Sequence, residues 1–383
     1  MTPQPEGHER LRRWRLALGE AAEESTGTLT SADDSAMDAA LAALYDAGPG
    51  GGPRTAGLGG SAPRVARWLG DIRTYFPTSV VQVMQRDAVD RLGLTRLLLE
   101  PELLEVVEPD VHLVGTLLSL NRVMPETTKA TARTVVEKVV REVEERIAQH
   151  TRAAVTGALN RSSRTSNPKL RDIDWDRTIR ANLAHYLPEH RTVVPEKLVG
   201  YGRRSQAVKR DVVLAVDQSG SMASSVVYAS VFAAVLASMR ALRTSLVVFD
   251  TSVVDLTDML ADPVEVLFGT QLGGGTDINR AIAYSRSLIT RPADSLFVLI
   301  SDLYEGGIRS EMLSRVREML AAGVQVVVLL ALADDGAPAF DRDNAAALAE
   351  LGVPAFACTP DRFPELLAVA LERGDVGRWA QSV

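Results

Sequence analysis

Hydrophobic and polar positions divide the chain near its middle. From residue 211 onward, short apolar runs rich in β-branched residues alternate with segments whose apolar residues recur at helical spacing. "DVVLAVD", "TSLVVFDTS", "SLFVLISD", "VQVVVLLAL" and "PAFACT" are almost continuously hydrophobic, the pattern of parallel strands buried on both faces. Between them, "SMASSVVYASVFAAVLASMRAL", "INRAIAYSRSLIT", "RSEMLSRVREMLAAG" and "FPELLAVALER" predict helices. The alternation predicts an α/β fold: a doubly wound, mostly parallel sheet with right-handed crossovers. Only a tight turn separates "VVDLT" from the preceding "VVFD", which predicts a short antiparallel edge strand.

Residues 1–160 predict an all-α region. Helical patterns cover "HERLRRWRLALGE", "DSAMDAALAALYDA", "RVARWLGDIRTYF", "VVQVMQRDAVDRL", "VHLVGTLLSL" and the long "ETTKATARTVVEKVVREVEERIAQHTRAAV". In the last, Val135, Val136, Val139, Val140, Val143 and Ile147 form one stripe that reads as bundle core. Glu137 with Arg141, and Glu142 with Arg146, are spaced to pair on its outer face. The glycine-rich stretch 47–63 reads as a loop or linker. Residues 161–207 read as a basic connecting segment, 208–375 as the α/β domain and 376–383 as a C-terminal tail.

The chain has 383 residues, 46% hydrophobic and 24% charged, enough for more than one domain. A single cysteine, Cys358, rules out an internal disulfide framework and reads as a small core residue. Neither a signal-peptide pattern nor an apolar run of membrane-spanning length stands out, so the expectation is a soluble, cytoplasmic protein. The formal net charge of −7 argues against wholesale nucleic-acid binding. Between Arg161 and Arg210, however, bases outnumber acids, Arg164, Lys169, Arg171, Arg177, Arg180, Arg203, Arg204 and Lys209 among them. Such a stretch is solvated, pairs with acidic neighbours of the same protein, or meets an acidic partner. RNA or DNA is the weaker reading, because stacking aromatics are not interleaved with the arginines.

The candidate chemistry lies where the first predicted strand ends. Ligands of parallel α/β sheets collect beyond the carboxyl ends of the strands. Asp217 ends the strand in "VVLAVDQSGSM", and Ser219 and Ser221 follow in its loop. "GGGTDI" carries Thr276 to the same edge, and "LISDLYEGG" carries Asp302. Two carboxylates and three hydroxyls make an oxygen set suited to a small hard cation, Mg2+ first and Mn2+ or Ca2+ as alternatives. Two carboxylates do no more than neutralise a dication, so an outside carboxylate can add to its shell. Gly220 fits the turn between the serines, and Gly273, Gly274 and Gly275 give the threonine loop freedom. Each segment also has a plain reading, Ser219 and Ser221 capping one helix and Thr276 or Asp277 the next. Asp250 reads as a turn residue or as a further group on this edge; Tyr304 and Glu305 read as flanking the cation or as ordinary loop residues.

These residues resemble the metal-ion-dependent adhesion site of von Willebrand factor A (VWA) domains. "DQSGS" resembles the family's Asp-x-Ser-x-Ser, "GGGTD" its threonine loop and "ISDLYEG" its second aspartate loop. The resemblance implies Ser219, Ser221 and Thr276 as hydroxyl ligands of Mg2+, with Asp217 and Asp302 binding directly or through water. More narrowly, the chain is similar to bacterial proteins of the CoxE-like group, and "DIDWDRTIRANLAHY" resembles the segment that leads into their VWA domain. That resemblance implies an adaptor that binds an Asp or Glu of a partner protein and works with a MoxR-type AAA+ ATPase in protein remodelling or metal-centre maturation.

Rival chemistries find less support. A haloacid-dehalogenase-type phosphatase needs a second carboxylate two residues after the first, where this chain has Ser219. A serine hydrolase needs Gly-x-Ser-x-Gly and a histidine at a strand end, yet all five histidines precede the α/β half. "GGGTDINR" lacks the lysine of a phosphate-binding loop. The expectation is therefore a protein that is not an enzyme, with a metal-dependent hydrolase using the same cation, or a scaffold with a purely structural metal, as alternatives. His185 and Tyr186 read as a packed structural pair.

Overall fold

The computed structural model describes residues 5–45, 62–92, 94–100, 104, 106–162, 164–165, 173–201, 210–270, 274–334 and 339–382. Most of the glycine-rich stretch, Gly273, and Lys169, Arg171, Arg203, Arg204 and Lys209 of the basic segment lie outside the described residues, as do the side chains of Arg161 and Arg164. The chain divides into two compact units, Met1–Val139 and Val140–Val383.

The first unit is helical: α1 Pro5–Leu18, α2 Ala32–Tyr45, α3 Ala62–Tyr75, α4 Thr78–Leu92, α5 Val111–Leu120 and the start of α6 Glu126–Ser162. Leu44, Val65, Trp68, Ile72, Val81 and Met84 are buried in its core, and burying each such side chain contributes about 1.5–3 kcal/mol. The Trp68 indole N–H donates to the Ala40 carbonyl at 2.9 Å, so the ring's one polar atom is satisfied. Arg12 grips Asp34 with two nitrogens, and Arg15 grips Asp38, which fixes α1 on α2. These bonds hold the Asp34 carboxyl below its ordinary range.

The helix α6 crosses the division between units instead of ending before it. Its valine stripe is buried along its length, as the periodicity predicts. The expected Glu142–Arg146 pair does not form among the described residues. Arg146 turns to the α/β loops, donating to Asp361 at 3.0 Å and to Asp334 at 3.3 Å, and lies over the Tyr228 ring. Two facing carboxylates and an aromatic face outweigh a single exposed i, i+4 pair.

After α6 come α7 Trp175–Ala181 and two short two-stranded pairings, then the main sheet. Its elements are β1 Arg210–Asp217, α8 Ala223–Ala237, β2 Leu242–Phe249, β3 Val253–Asp255, α9 Pro263–Gly269, α10 Ile278–Leu288, β4 Ser295–Ile300, α11 Arg309–Ala321, β5 Gln325–Leu332, α12 Arg342–Glu350, β6 Ala355–Cys358, α13 Phe363–Leu371 and α14 Val376–Gln381. The spatial order is β6-β5-β4-β1-β2-β3, parallel throughout except for antiparallel β3 at the edge. The α/β, mostly parallel architecture and its edge strand match the hydrophobic pattern. Residues 376–383, read as a tail, instead carry α14, capped by Asp375 and packed through Trp379 against Phe356. Gly220–Ala237 is long and apolar enough to cross a membrane by composition, yet 67% of that window is buried inside the α/β unit, the place of a core helix.

Candidate functional site

Register explains why the site residues meet. Asp217 is the last residue of β1 and pairs with Phe249, while Val216 pairs with Ile300. The carboxyl ends of β1, β2 and β4 are therefore level, and the loops leaving them share one edge. Fully buried Asp217 accepts the Ser219 N–H through one carboxylate oxygen at 2.9 Å and the Ser301 hydroxyl through the other at 2.8 Å. The Ser221 hydroxyl donates to Asp302 at 2.7 Å and lies 3.2 Å from the Ser219 hydroxyl. Asp217, Ser219, Ser221 and Asp302 thus form one bonded cluster drawn from two loops.

Thr276 joins through its backbone. Its carbonyl accepts the Gly306 N–H at 2.8 Å, which ties the threonine loop to the loop after Asp302. A Cβ on Gly306 would lie 2.7 Å from that carbonyl oxygen, so only glycine permits the approach. The Thr276 hydroxyl makes no hydrogen bond among the described residues. Asp277 N–H donates to the Asp250 carbonyl, and its side chain caps α10 by accepting the Arg280 N–H at 2.8 Å. The two helices at the site therefore take no cap from the candidate hydroxyls: the serines make no side-chain cap bond to α8, and Asp277 caps α10 in place of Thr276.

No lysine or arginine pairs with Asp217 or Asp302 among the described residues. Burial pushes the Asp217 carboxyl up, and the nearby Asp302 charge pushes the same way, against the hydrogen bonds from Ser219 and Ser301. Like charges sharing a buried site, with hydroxyls beside them, form a donor set that fits a hard dication.

Ser301 is the residue the sequence reading missed. Its hydroxyl orients Asp217 and also accepts the Leu303 N–H at 3.0 Å. The available signal was its place at a strand end, directly before Asp302. Leu303 has a φ of 66° while its side chain is fully buried, a left-handed conformation that turns the chain sharply after Asp302. Asp250 proves to be a turn residue, accepting the Ser252 N–H and hydroxyl, and it also lies against Gly274 of the threonine loop. Tyr304 is half exposed beside Asp302. Glu305 ties its loop to the start of α10 by accepting the Asn279 N–H at 3.0 Å. His185 lies 3.1 Å from Glu196, and both it and Tyr186 are exposed, not packed.

The fold agrees with what the chain is similar to. Residues 147–367 match the family of VWA domain containing CoxE-like proteins. The chain belongs to that family. It is 41% identical over 368 residues to the uncharacterized protein YehP of Escherichia coli (strain K12), covering 94% of this chain and 97% of that one. Among solved structures, an aerotolerance-related membrane protein from Bacteroides fragilis NCTC 9343, with multiple mutations to serines, aligns with a TM-score of 0.34 and 16% identity, covering 43% of this chain and 99% of that chain. The RO (RSR) protein of Deinococcus radiodurans aligns with a TM-score of 0.29 and 14% identity, covering 97% and 94% respectively. Overlaps this loose carry no weight for the function of this chain.

Proposed function

We propose that the edge formed by Asp217, Ser219, Ser221, Thr276 and Asp302 is a Mg2+-dependent protein-binding site and that the protein acts as an adaptor, not an enzyme. The observation that carries this reading is a buried carboxylate pair, bonded to serine hydroxyls that cap no helix, with no cationic side chain against it among the described residues. The three hydroxyls and two carboxylates would hold the cation, which supplies positive charge for an Asp or Glu of the partner. This chain's own residues do the orienting: Ser301 and the Ser219 N–H fix the Asp217 carboxylate, and Ser221 fixes Asp302. The Gly306–Thr276 bond holds the third loop in reach.

The CoxE-like family makes a MoxR-type AAA+ ATPase the partner to test first, in a cytoplasmic remodelling or maturation role. Affinity for such an ATPase is measured with Mg2+, with EDTA, and in Asp302→Ala. The adaptor reading expects binding only for the unmodified chain with Mg2+. Equal binding in all three refutes it. A phosphatase and peptidase substrate screen with Mg2+ separates the hydrolase alternative, which requires turnover that Asp217→Ala abolishes.

A further inference from the structure

The described bonds that fix the backbone around Thr276 come from neighbouring loops. The Asp277 N–H donates to the Asp250 carbonyl at 2.8 Å, and the Thr276 carbonyl accepts the Gly306 N–H at 2.8 Å. Glu305 adds a tie made by a side chain. One of its carboxylate oxygens accepts the Asn279 N–H at 3.0 Å and the other accepts the Gly307 N–H at 2.5 Å, and the Ile278 N–H bonds to it as well. A single carboxylate thus joins the loop after Asp302 to the first turn of α10, which begins two residues after Thr276.

That carboxylate is costly to place. Glu305 is half-buried, and burial and the nearby Asp277 charge push its carboxyl up against the N–H bonds it accepts. A Cβ on Gly307 would lie 2.5 Å from Glu305 Oε1 and 2.7 Å from Asp277 Oδ1, so two acids crowd one glycine. Capping α10 does not require the second acid, because Asp277 already accepts the Arg280 N–H at 2.8 Å. What Glu305 adds is the link between loops.

The loop from which Glu305 reaches out is itself well anchored. The Ser301 hydroxyl accepts the Leu303 N–H at 3.0 Å, the buried Asn344 side chain donates to the Leu303 carbonyl at 2.9 Å, and the Asp341 N–H donates to the Asp302 carbonyl at 2.9 Å. The left-handed Leu303 is therefore bonded on both sides, and such over-determination is what a strained residue needs to persist. Glu305 follows two residues later. We infer that Glu305 is a positioning residue for Thr276: it ties the threonine loop to the anchored Asp302 loop and keeps the Thr276 hydroxyl within reach of the cation. The inference rests on the cation reading of this edge and adds to it a residue outside the five candidate ligands.

The test titrates the full chain with Mg2+ alone in a calorimeter, for the parent, Glu305→Ala, Glu305→Gln, Thr276→Val, and Glu305→Ala combined with Thr276→Val. The start of α10 keeps other ties when Glu305 is replaced, since Asn279 donates to Glu311 at 3.1 Å and accepts from Arg315 at 2.7 Å; melts in EDTA check that each variant folds. Glu305→Ala should weaken Mg2+ binding about fivefold, the scale of one lost hydrogen bond. Glu305→Gln, which keeps one acceptor oxygen, should lose less. In the Thr276→Val background, Glu305→Ala should cost nothing further, because the hydroxyl it positions is already gone. The inference is overturned by an affinity that Glu305→Ala leaves unchanged, or by a loss of the same factor with and without the Thr276 hydroxyl. Equal losses in Glu305→Gln and Glu305→Ala overturn it too, because they mark an effect of charge and not of position. A parent that binds no Mg2+ overturns the cation reading itself, whereas a parent that binds while the variants fail these expectations leaves that reading standing.

Discussion

Replacing Asp217 with Asn separates the local cost of the site from its gain on binding a cation. Asn keeps the shape and one acceptor oxygen for the Ser219 N–H, now bonded at 2.9 Å. Its amide nitrogen would face the Ser301 hydroxyl, which must give up the acceptor it now has at 2.8 Å. Losing one such bond costs about 1 kcal/mol. Against this, Asn removes a carboxylate whose charged form burial and Asp302 both disfavour. In EDTA the two effects oppose, and the variant should melt within about 1 kcal/mol of the parent. With Mg2+ at a hundredfold excess over its dissociation constant, the parent gains about 2.7 kcal/mol, which for a unit of this size raises Tm by about 5–10 °C. The Asn variant should gain almost none of it. Paired thermal melts with Mg2+ and with EDTA make the measurement. A variant that keeps the Mg2+ shift, or a parent that shows none, refutes the reasoning.

Other outcomes follow from the same geometry. Thr276→Val removes a hydroxyl that bonds to none of the described residues; it should leave the EDTA melting temperature unchanged while reducing the Mg2+ shift in the same assay. Gly306→Ala places a methyl 2.7 Å from the Thr276 carbonyl oxygen and should weaken Mg2+ binding in calorimetry by about 1–3 kcal/mol while leaving every candidate ligand side chain in the sequence unchanged. Burial pushes the Cys358 thiol up to about 12, so a disulfide exchange reagent at pH 8 should label it only as the protein unfolds. The Asp34 carboxyl is held below its ordinary value of 3.8 by Arg12. A depressed carboxylate stabilises fully above its unfolded pKa and loses that contribution as pH falls through the folded value. Melts between pH 5 and pH 3, a range set for about that window, should show acid loss that Arg12→Ala removes.

The α/β core was legible because its strands are apolar on both faces and its helices are bounded by loops that carry chemistry. The candidate ligands were legible for a related reason: Asp217, Ser219 and Ser221 interrupt an apolar run at the position where a parallel strand must end. Ser301 was not, because its importance depends on β1 and β4 being in register, a contact between residues 84 positions apart. The helices α9 and α12 were also missed, although Asp262 followed by Pro263 marks the start of the first. Arg146 defeated local reasoning most clearly. Its spacing from Glu142 advertises a surface pair, but Asp334, Asp361 and Tyr228 are brought to it by the fold of the unit. Residues 161–207 were read as a basic connecting segment from their charge, and the bonds from Asn182 to Glu196 and Lys197 that organise part of it span 14 and 15 positions, beyond any local pattern.

Crystals grown with Mn2+ and measured at the manganese absorption edge test the central claim most directly. The account predicts one anomalous peak among Asp217, Ser219, Ser221, Thr276 and Asp302, about 2.0–2.3 Å from at least the serine hydroxyl oxygens, and its loss in Asp217→Asn. A well-ordered site with no peak at saturating Mn2+, or a peak that survives that substitution, contradicts it.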